Sequence, residues 1–490
     1  MYVLSLKESD INFKSLEKEI YEFVCRKACE ILVYILEKLD EKLMKERDKN
    51  KYRNKGKRKT SIKTVMGIIE YERRIYEYIT EKGEKSYIFL LDEYLKIETI
   101  GQISANLVEK IVDNITDMSY RKAADKITKH TNQSISHTAV WDIVQKIGEK
   151  IEEKEEREIK LNKEGKLKGE KEVKVIFEEM DGIWLNIQSK DKGKSKKKVI
   201  KELKLGIFYE GWEKKHEKKD RYITIEKKAY VSFKGSKKFK EIRDSKIAST
   251  YNQDEIELRI INGDGSNWIK EIVKEEGATF QLDPFHKSQA VTRNIDDKKK
   301  SKKIIKLLNQ GKTKESLELI TNLMVENNED EEKLKKLEKL YNYLVNNKKG
   351  LVPYNPRKDI KLPEPPEGVV YRNLGTMEHN ICDILAQRMK NRKASWSIKG
   401  ASNLAKILAS KASKELDKLI DTLLNGTLAE EKIEEIKEVL RLTAAQVNRK
   451  PKKSRIYPTR KGRMPFTDCA ITNGRLAIKK MLEDKCARVV

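Results

Sequence analysis

Cysteine, proline and long apolar runs are all scarce in this chain. Its 490 residues hold five cysteines, Cys25, Cys29, Cys382, Cys469 and Cys486. That odd number, with no CxxC, argues against a disulfide framework or a zinc finger. Cys25 and Cys29 stand one helical turn apart and read as two small core residues on one helix face. No apolar run approaches the roughly 20 residues that span a bilayer, so no membrane partner is expected. The opening MYVLSLKESDINFKS has neither a basic leader nor a long apolar stretch, so no secretory signal is expected and a reducing cytoplasm fits best. Of nine prolines, five crowd between Pro353 and Pro366 and mark an extended connection.

What is abundant is charge. Lys and Arg number 106 against 79 Asp and Glu, a formal net charge of +27. Because both signs are plentiful and 38% of residues are apolar, this is a globular protein with a basic excess rather than a polycation. Such an excess favours a polyanionic partner, since each Lys or Arg placed on a phosphate releases condensed counterions. A lysine-rich proteome gives the same excess. The length implies about two to four domains.

From Ser15 to Glu46, Leu16, Ile20, Phe23, Val24, Ala28, Ile31, Leu32, Ile35, Leu36 and Leu39 recur at helical steps. A basic stretch, Arg47–Ser61, runs into IKTVMGIIEYERRIY, whose alternation predicts a hairpin around Gly67; YIFLLDEYLKI is apolar but of open type. Thr99 to about Lys160 is helical, with SYRKAADKITKHT and HTAVWDIVQKIGEKI separated by NQSIS and Ser136 as N-cap. That pair fits a helix-turn-helix, with Arg121, Lys122, Ser136, His137, Thr138 and Trp141 as candidate DNA contacts; a packing hairpin gives the same pattern. A charged linker is expected at Glu152–Lys171.

The texture then changes. KEVKVIFEEMDG, ELKLGIFYEGW and RYITIEKKAYVSF predict three strands. A helix (SKKFKEIRDSKIASTY), a strand (IELRIINGDGSNW), a second helix and a last strand (ATFQLDPFH) follow, a mixed α/β order. Asp296–Leu351 reads as an inserted helical subdomain. VVYRNLGTMEHNICDILAQRMKNRKASWS resumes the α/β texture, and a helical tail to about Asn448 gives way to basic PKKSRIYPTRKGRMPF.

Three acids stand out by position. Asp181 is expected to end a strand in VIFEEMDGIW, Asp264 to end another in LRIINGDGSNW, and Glu378 to open a helix in NLGTMEHNICDI. Carboxylates held rigidly at strand ends suit Mg²⁺ or Mn²⁺, hard ions that keep positions for water and phosphate. Two such ions can activate an attacking oxygen and stabilise a leaving one. Gly265 lets the backbone turn after Asp264. A strand-terminal Asp before Gly is, taken alone, an ordinary turn residue. Glu178, Glu179 and Asp383 are acidic neighbours easily mistaken for ligands.

VIFEEMDGIW, IINGDGSNWI, LDPFHKSQAV and GTMEHNI together resemble bacterial insertion-sequence transposases of the ISLre type, distant relatives of the Mutator-like transposases. The resemblance covers most of the chain, including RRIYEYI, the helix-turn-helix stretch and the closing TNGRLAIKKML. It implies a multidomain, mainly α protein whose α/β ribonuclease-H-like catalytic core is interrupted by a helical insertion. It also implies an Asp-Asp-Glu triad of Asp181, Asp264 and Glu378 holding two Mg²⁺ or Mn²⁺ ions. Mutator-like families carry a Cys-or-Asp, two residues, then His after the second acid, which Asp283–Pro284–Phe285–His286 matches. Asp283 and His286 then support the metal site or contact DNA, or form a plain turn with a hydrogen-bonded His. Trp396 stacks on a displaced base or fills the core.

The expected division is 1–110, helical and hairpin, for DNA binding or dimerisation; 111–165, helix-turn-helix-like; 166–295, first part of the core; 296–364, insertion and Pro-rich connection; 365–420, last part of the core; and 421–490, helical and basic tail. The partners implied are double-stranded DNA, both element ends and target, at the nucleoid. A second copy of the chain is implied too, since two ends are cut together. A ribonuclease-H-like nuclease without strand transfer and a non-enzymatic DNA-binding regulator are the competing readings.

Overall fold

In the computed structural model, residues 12–424 are described, except 98, 132, 189–198, 217–218 and 392–393. The expectations for the tail after residue 424, with Cys469 and Cys486, lie outside them. Helix α1 (Phe13–Glu46) begins at Asn12, whose side chain accepts from the Ser15 amide while the Ser15 hydroxyl accepts from the Asn12 amide, a reciprocal cap. Its Ile35, Leu36 and Leu39 are buried with Ile62, Ile69 and Tyr71 of the hairpin β1 (Arg53–Lys63) and β2 (Ile68–Ile79). Buried Asp40 accepts from the Arg74 amide at 3.0 Å and from its guanidinium, which locks helix to hairpin. The turn falls at Thr64–Gly67, as expected. Gly67 lets the turn approach α1 closely, since an added Cβ would meet Cys29 Sγ at 2.7 Å. The basic stretch is largely strand: Lys55, Lys57 and Lys59 pair with Glu77, Glu72 and Glu70 across the hairpin. YIFLLDEYLKI divides into β3 (Lys85–Ile88) and α2 (Leu90–Leu95).

After the short β4 (Thr99–Ile100) and β5 (Ile103–Ser104) come α3 (Ala105–Asp117), α4 (Tyr120–His130) and α5 (His137–Lys163). In α3, Leu107, Val108, Ile111, Val112 and Ile115 are fully buried, each worth about 1.5–3 kcal/mol of hydrophobic stabilisation. Ser136 caps α5 by accepting from the Ala139 amide. The expected linker at Glu152–Lys171 is corrected: α5 runs on to Lys163. Its acids are not a solvated spacer. Glu152, Glu155 and Glu156 receive Lys234, Lys406 and Lys238 from neighbouring helices and loops.

The strands that follow are β6 (Val175–Ile187), β7 (Val199–Tyr209), β8 (Trp212–His216), β9 (Lys219–Thr224) and β10 (Lys228–Ser232). RYITIEKKAYVSF, expected as one strand, splits into β9 and β10, and β9 pairs with β8 in a separate ribbon. Then come α6 (Ser236–Thr250), β11 (Leu258–Gly263), α7 (Asn267–Glu275) and β12 (Thr279–Leu282). The main sheet runs β10-β7-β6-β11-β12. Its first three strands are antiparallel, and β11 and β12 join parallel to β6. Odd positions of β6, among them Phe177, Ile183 and Leu185, enter one core; even positions Ile176 and Met180 enter another with α6 and α7.

Helices α8 (Pro284–Asn294), α9 (Lys298–Asn309), α10 (Thr313–Glu326) and α11 (Glu331–Asn346) share a core of their own. Residues 353–366 carry no helix or strand, as the prolines require. The chain re-enters through α12 (Met377–Asn380), a π-helical segment (Ile381–Ala386), α13 (Gln387–Met389), β13 (Ser395–Trp396), α14 (Ile398–Ala412) and α15 (Leu416–Leu424). Of the described residues about 53% are helix and 22% strand, so helix outweighs strand there as expected, in a mixed α/β architecture. No helix among the described residues is long and apolar enough to cross a membrane.

Candidate functional site

Asp181 does not end its strand. It lies in the middle of β6, paired with Leu205 of β7, because the antiparallel hairpin continues unbroken to Ile187. On the other edge, β11 covers Val175–Met180 and β13 covers only Asn186–Ile187. Asp181 therefore sits where the parallel neighbour leaves, which opens one side of a buried strand. Asp264 follows Gly263, the last residue of β11 and the partner of Met180. It is thus one step beyond the ladder that joins β11 to β6. Gly265 has φ +83, a left-handed turn only glycine adopts freely. Glu378 is in the first turn of α12 and His286 in the first turn of α8.

One oxygen each of Asp181 and Glu378 and a ring nitrogen of His286 lie within 4.8 Å of one another. His286 Nε2 is 3.1 Å from Asp181 Oδ2 and 3.8 Å from Glu378 Oε1. No Lys or Arg among the described residues pairs with either carboxylate. Burial lowers the His286 pKa, but the hydrogen bond and charge of Asp181, with the charges of Asp283 and Asp264, outweigh it and raise it to about 9. Burial also raises the Glu378 pKa, helped by Asp181 and Asp283 and opposed by His286 and Lys390. The imidazolium thus occupies the place of a cation among acids. Two carboxylates and an imidazole at this separation are a donor set that fits a divalent ion, with neutral His286 as ligand. Asp264 stands next to this group rather than in it: its Oδ1 accepts from the Ser266 amide at 2.8 Å and its carbonyl from Tyr343 of α11 at 2.9 Å.

Asp283 has a definite place. It caps α8, its Oδ1 accepting from the Phe285 and His286 amides, while Oδ2 accepts from Asn262 Nδ2 at 2.8 Å. Asn262 also donates to Glu179 Oε2 at 2.9 Å. Glu179, fully buried, further accepts from Tyr209 Oη at 2.7 Å and from the amides of Gly375 and Thr376 at 3.0 and 2.9 Å. One network therefore ties β6, β11, α8 and the loop into α12, the four elements that carry the acids and His286. The sequence pointed to Glu179 only as an acid easily mistaken for a ligand; its signal was the EE pair beside Asp181, one residue for each face of the strand. Glu178, on the opposite face, meets Arg243 at 2.9 Å and Arg259 at 2.8 Å. Asp383 pairs with His379 away from this group.

The remaining candidates lie elsewhere. Trp396 is half-buried, donates from Nε1 to the Met389 carbonyl at 2.8 Å, and meets Tyr120 edge-on at 6.4 Å. With Tyr120, Trp141 and Arg388 it lines a cavity of about 390 Å³, so core packing and an open face coexist. Arg121, Lys122, His137 and Thr138 are exposed on α4 and α5, while the Ser136 side chain is committed to its cap.

Fold and site together define an α/β protein with a cluster of two carboxylates and one histidine on its main sheet. Residues 6–418 match an uncharacterised protein family, UPF0236, and the chain belongs to that family. One UPF0236 protein of Caldanaerobacter subterraneus subsp. tengcongensis is 27% identical over 409 residues, 82% of this chain and 78% of the relative. Another from the same organism is 26% identical over 349 residues, 71% of this chain and 66% of the relative, so less than two thirds of that protein is spanned. A UPF0236 protein of Streptococcus gallolyticus is 23% identical over 173 residues, 35% of this chain and 36% of the relative.

Proposed function

We propose that this chain is the DNA transposase of an insertion sequence, cutting and joining phosphodiester bonds at a centre formed by Asp181, Asp264, His286 and Glu378. The observation that carries this reading is the convergence of Asp181, His286 and Glu378 within 4.8 Å, with Asp264 just past the adjoining strand end and, among the described residues, no Lys or Arg paired with the Asp181 or Glu378 carboxylate. The strand order β10-β7-β6-β11-β12, three antiparallel strands and then two parallel ones joined through helices, supports a ribonuclease-H-like core. The name of one relative joins eleven locus designations from a single genome, which suits a gene carried by an element that multiplies.

Two Mg²⁺ or Mn²⁺ ions bound at this centre would supply the positive charge that developing oxyanions need. The chain's own residues hold the site in shape. Asp181 is fixed by the β6–β7 ladder, His286 by the Asp283 cap, and Glu378 by the grip of Glu179 on Gly375 and Thr376. In the reaction, water attacks the phosphorus at the element's end, the bond to the 3′ oxygen breaks, and a 3′-hydroxyl is freed; that hydroxyl then loses its proton and attacks a phosphorus of target DNA, whose own 3′ oxygen leaves and takes up a proton as the new phosphodiester forms. The exposed α4–α5 residues are suited to reading element ends as a homodimer engages two of them.

The test uses purified protein and DNA from the borders of its reading frame. Asp181→Asn and Asp264→Asn are expected to lower Mg²⁺-dependent strand cleavage at least ~10³-fold while end binding persists. Full cleavage by either variant removes that residue from the centre. Cleavage without joining of a pre-cut end favours a nuclease, and metal-independent binding without cleavage favours a regulator.

A further inference from the structure

Most lysines on the helices packed around the main sheet are matched by acids. Lys163 pairs with Glu241, Lys238 with Glu156, Lys240 with Asp244, Lys246 with Glu415 and Lys406 with Glu155. In α11 of the insertion, Lys335 and Lys336 pair with Glu331 and Glu332 one turn earlier, and Lys333 with Asp330. Helix α9 breaks this habit. Its sequence, KKKSKKIIKLLN, holds six lysines and no acid. Lys300 reaches Glu326 of α10, but among the described residues no carboxylate pairs with Lys299, Lys302, Lys303 or Lys306. These four stand at i, i+3, i+4 and i+7, so they share one face, and all are exposed. Ser301, Ile304 and Leu308, on the opposite face, are buried. The nearby Asp297 is spent on capping, its carboxylate accepting from the Lys299 and Lys300 amides.

We propose that the outer face of α9 docks the sugar-phosphate backbone of duplex DNA beside the bond that is cut. Four unneutralised ammonium groups along about 10 Å of helix match a strand that carries one phosphate per 3.4 Å of axis. Ammonium groups on flexible stems suit a phosphate row, which asks for charge rather than fixed geometry. The face is also connected to the centre. His286 lies in the first turn of α8, and the chain from there to Lys299 extends at most ~30 Å, less than one turn of duplex. Helix α8 and the three-residue connection 295–297 therefore join the acids to the lysine face, and Tyr343 of the same insertion holds the Asp264 loop. The identity of this DNA as substrate rests on the transposase reading; the docking surface itself does not.

The experiment measures equilibrium binding of the full chain to a labelled DNA duplex of mixed sequence across a salt series. The triple variant Lys302→Gln, Lys303→Gln, Lys306→Gln is compared with Lys333→Gln, Lys335→Gln, Lys336→Gln, which removes equal charge from α11. Phosphate contact predicts that the α9 variant flattens the slope of log affinity against log salt by about 2–3, and that the α11 variant barely changes it. Equal losses in both variants, an unchanged slope, or a wild-type chain that does not bind duplex each overturns the proposal. Thermal melting of both variants checks that the exposed substitutions leave the fold intact. A chain that binds with the expected slope but never cuts DNA would sink the transposase reading and leave this surface standing; one that cuts while the α9 variant binds like wild type does the reverse.

Discussion

Strand β6 presents acids to both sides of one sheet, and the two sides treat them in opposite ways. On the even face, Glu178 is fully buried and answered by two guanidiniums, Arg243 and Arg259, which also share Glu276. The charges of Glu178 and Asp244 raise the Arg243 pKa despite a burial that lowers it. On the odd face, no arginine among the described residues pairs with Glu179 or Asp181. Glu179 is met by neutral donors, and burial raises its pKa; Asp181 accepts from the Gly182 amide and lies 3.1 Å from His286. A buried acid answered by fixed positive charge is a structural element. An acidic cluster without such an answer is stable only if it recruits a proton or an ion, and that separates a candidate metal site from a salt bridge one residue away.

The largest effect that would break this comparison belongs to the even face. Glu178→Ala leaves two guanidiniums, one of them fully buried, without their central carboxylate, and is expected to destabilise the protein by about 3–5 kcal/mol in urea unfolding. Any metal binding by the folded fraction should be unchanged. A loss below 1 kcal/mol would mean that Glu276 and Asp244 suffice and that Glu178 is not the anchor.

A smaller and differently directed effect is expected on the odd face. Glu179→Gln keeps size but removes the charge and one of the two oxygens on which Tyr209, Asn262, Gly375 and Thr376 converge as donors, which weakens the grip on Gly375 and Thr376. The loop that opens α12 is then released, and Mn²⁺ affinity, read by calorimetry, should fall about 10–100-fold, as for residues that orient metal ligands. The thermal midpoint should fall less than in Glu178→Ala. Unchanged Mn²⁺ affinity would remove Glu179 from any part in placing Glu378.

The sequence carried much of this, unevenly. Long helices such as α1 and α5 were legible because their apolar spacing is regular, and caps such as Ser136 are local. The position of Asp181 was misjudged for a clear reason. GIWLNI after Asp181 looks like a new segment, and only pairing with β7, a long-range fact, shows the strand to be continuous. The α5 extension was missed because a run of Glu and Lys looks like a solvated spacer until the lysines of Lys234, Lys238 and Lys406 are brought alongside. His286 was visible as part of Asp-Pro-Phe-His, but its central place depends on the Asp283 cap aiming α8 at Asp181. Glu179's role was invisible, since its donors come from residues about 30, 80 and nearly 200 positions away.

The finest test of the two-face contrast is a pH dependence that only the odd face should show. In the folded, metal-free protein the His286 pKa is raised to about 9, against an ordinary value near 6.5 when unfolded. Below about pH 6.5 both states carry the proton, and its attraction to Asp181 contributes fully to stability. Between about pH 6.5 and 9 the folded state still binds the proton while the unfolded state has lost it, so stability falls as pH rises. For a group this enclosed the fall is on the order of 2 kcal/mol. Urea unfolding of wild type and His286→Gln at both ends of this window should show the fall in wild type alone. Divalent metal at neutral pH should then displace the proton, so saturating Mn²⁺ should flatten the wild-type curve toward that of the variant. Parallel curves for the two proteins would mean that Asp181 is neutralised by something other than His286, and the distinction between the faces of β6 would lose its electrostatic basis.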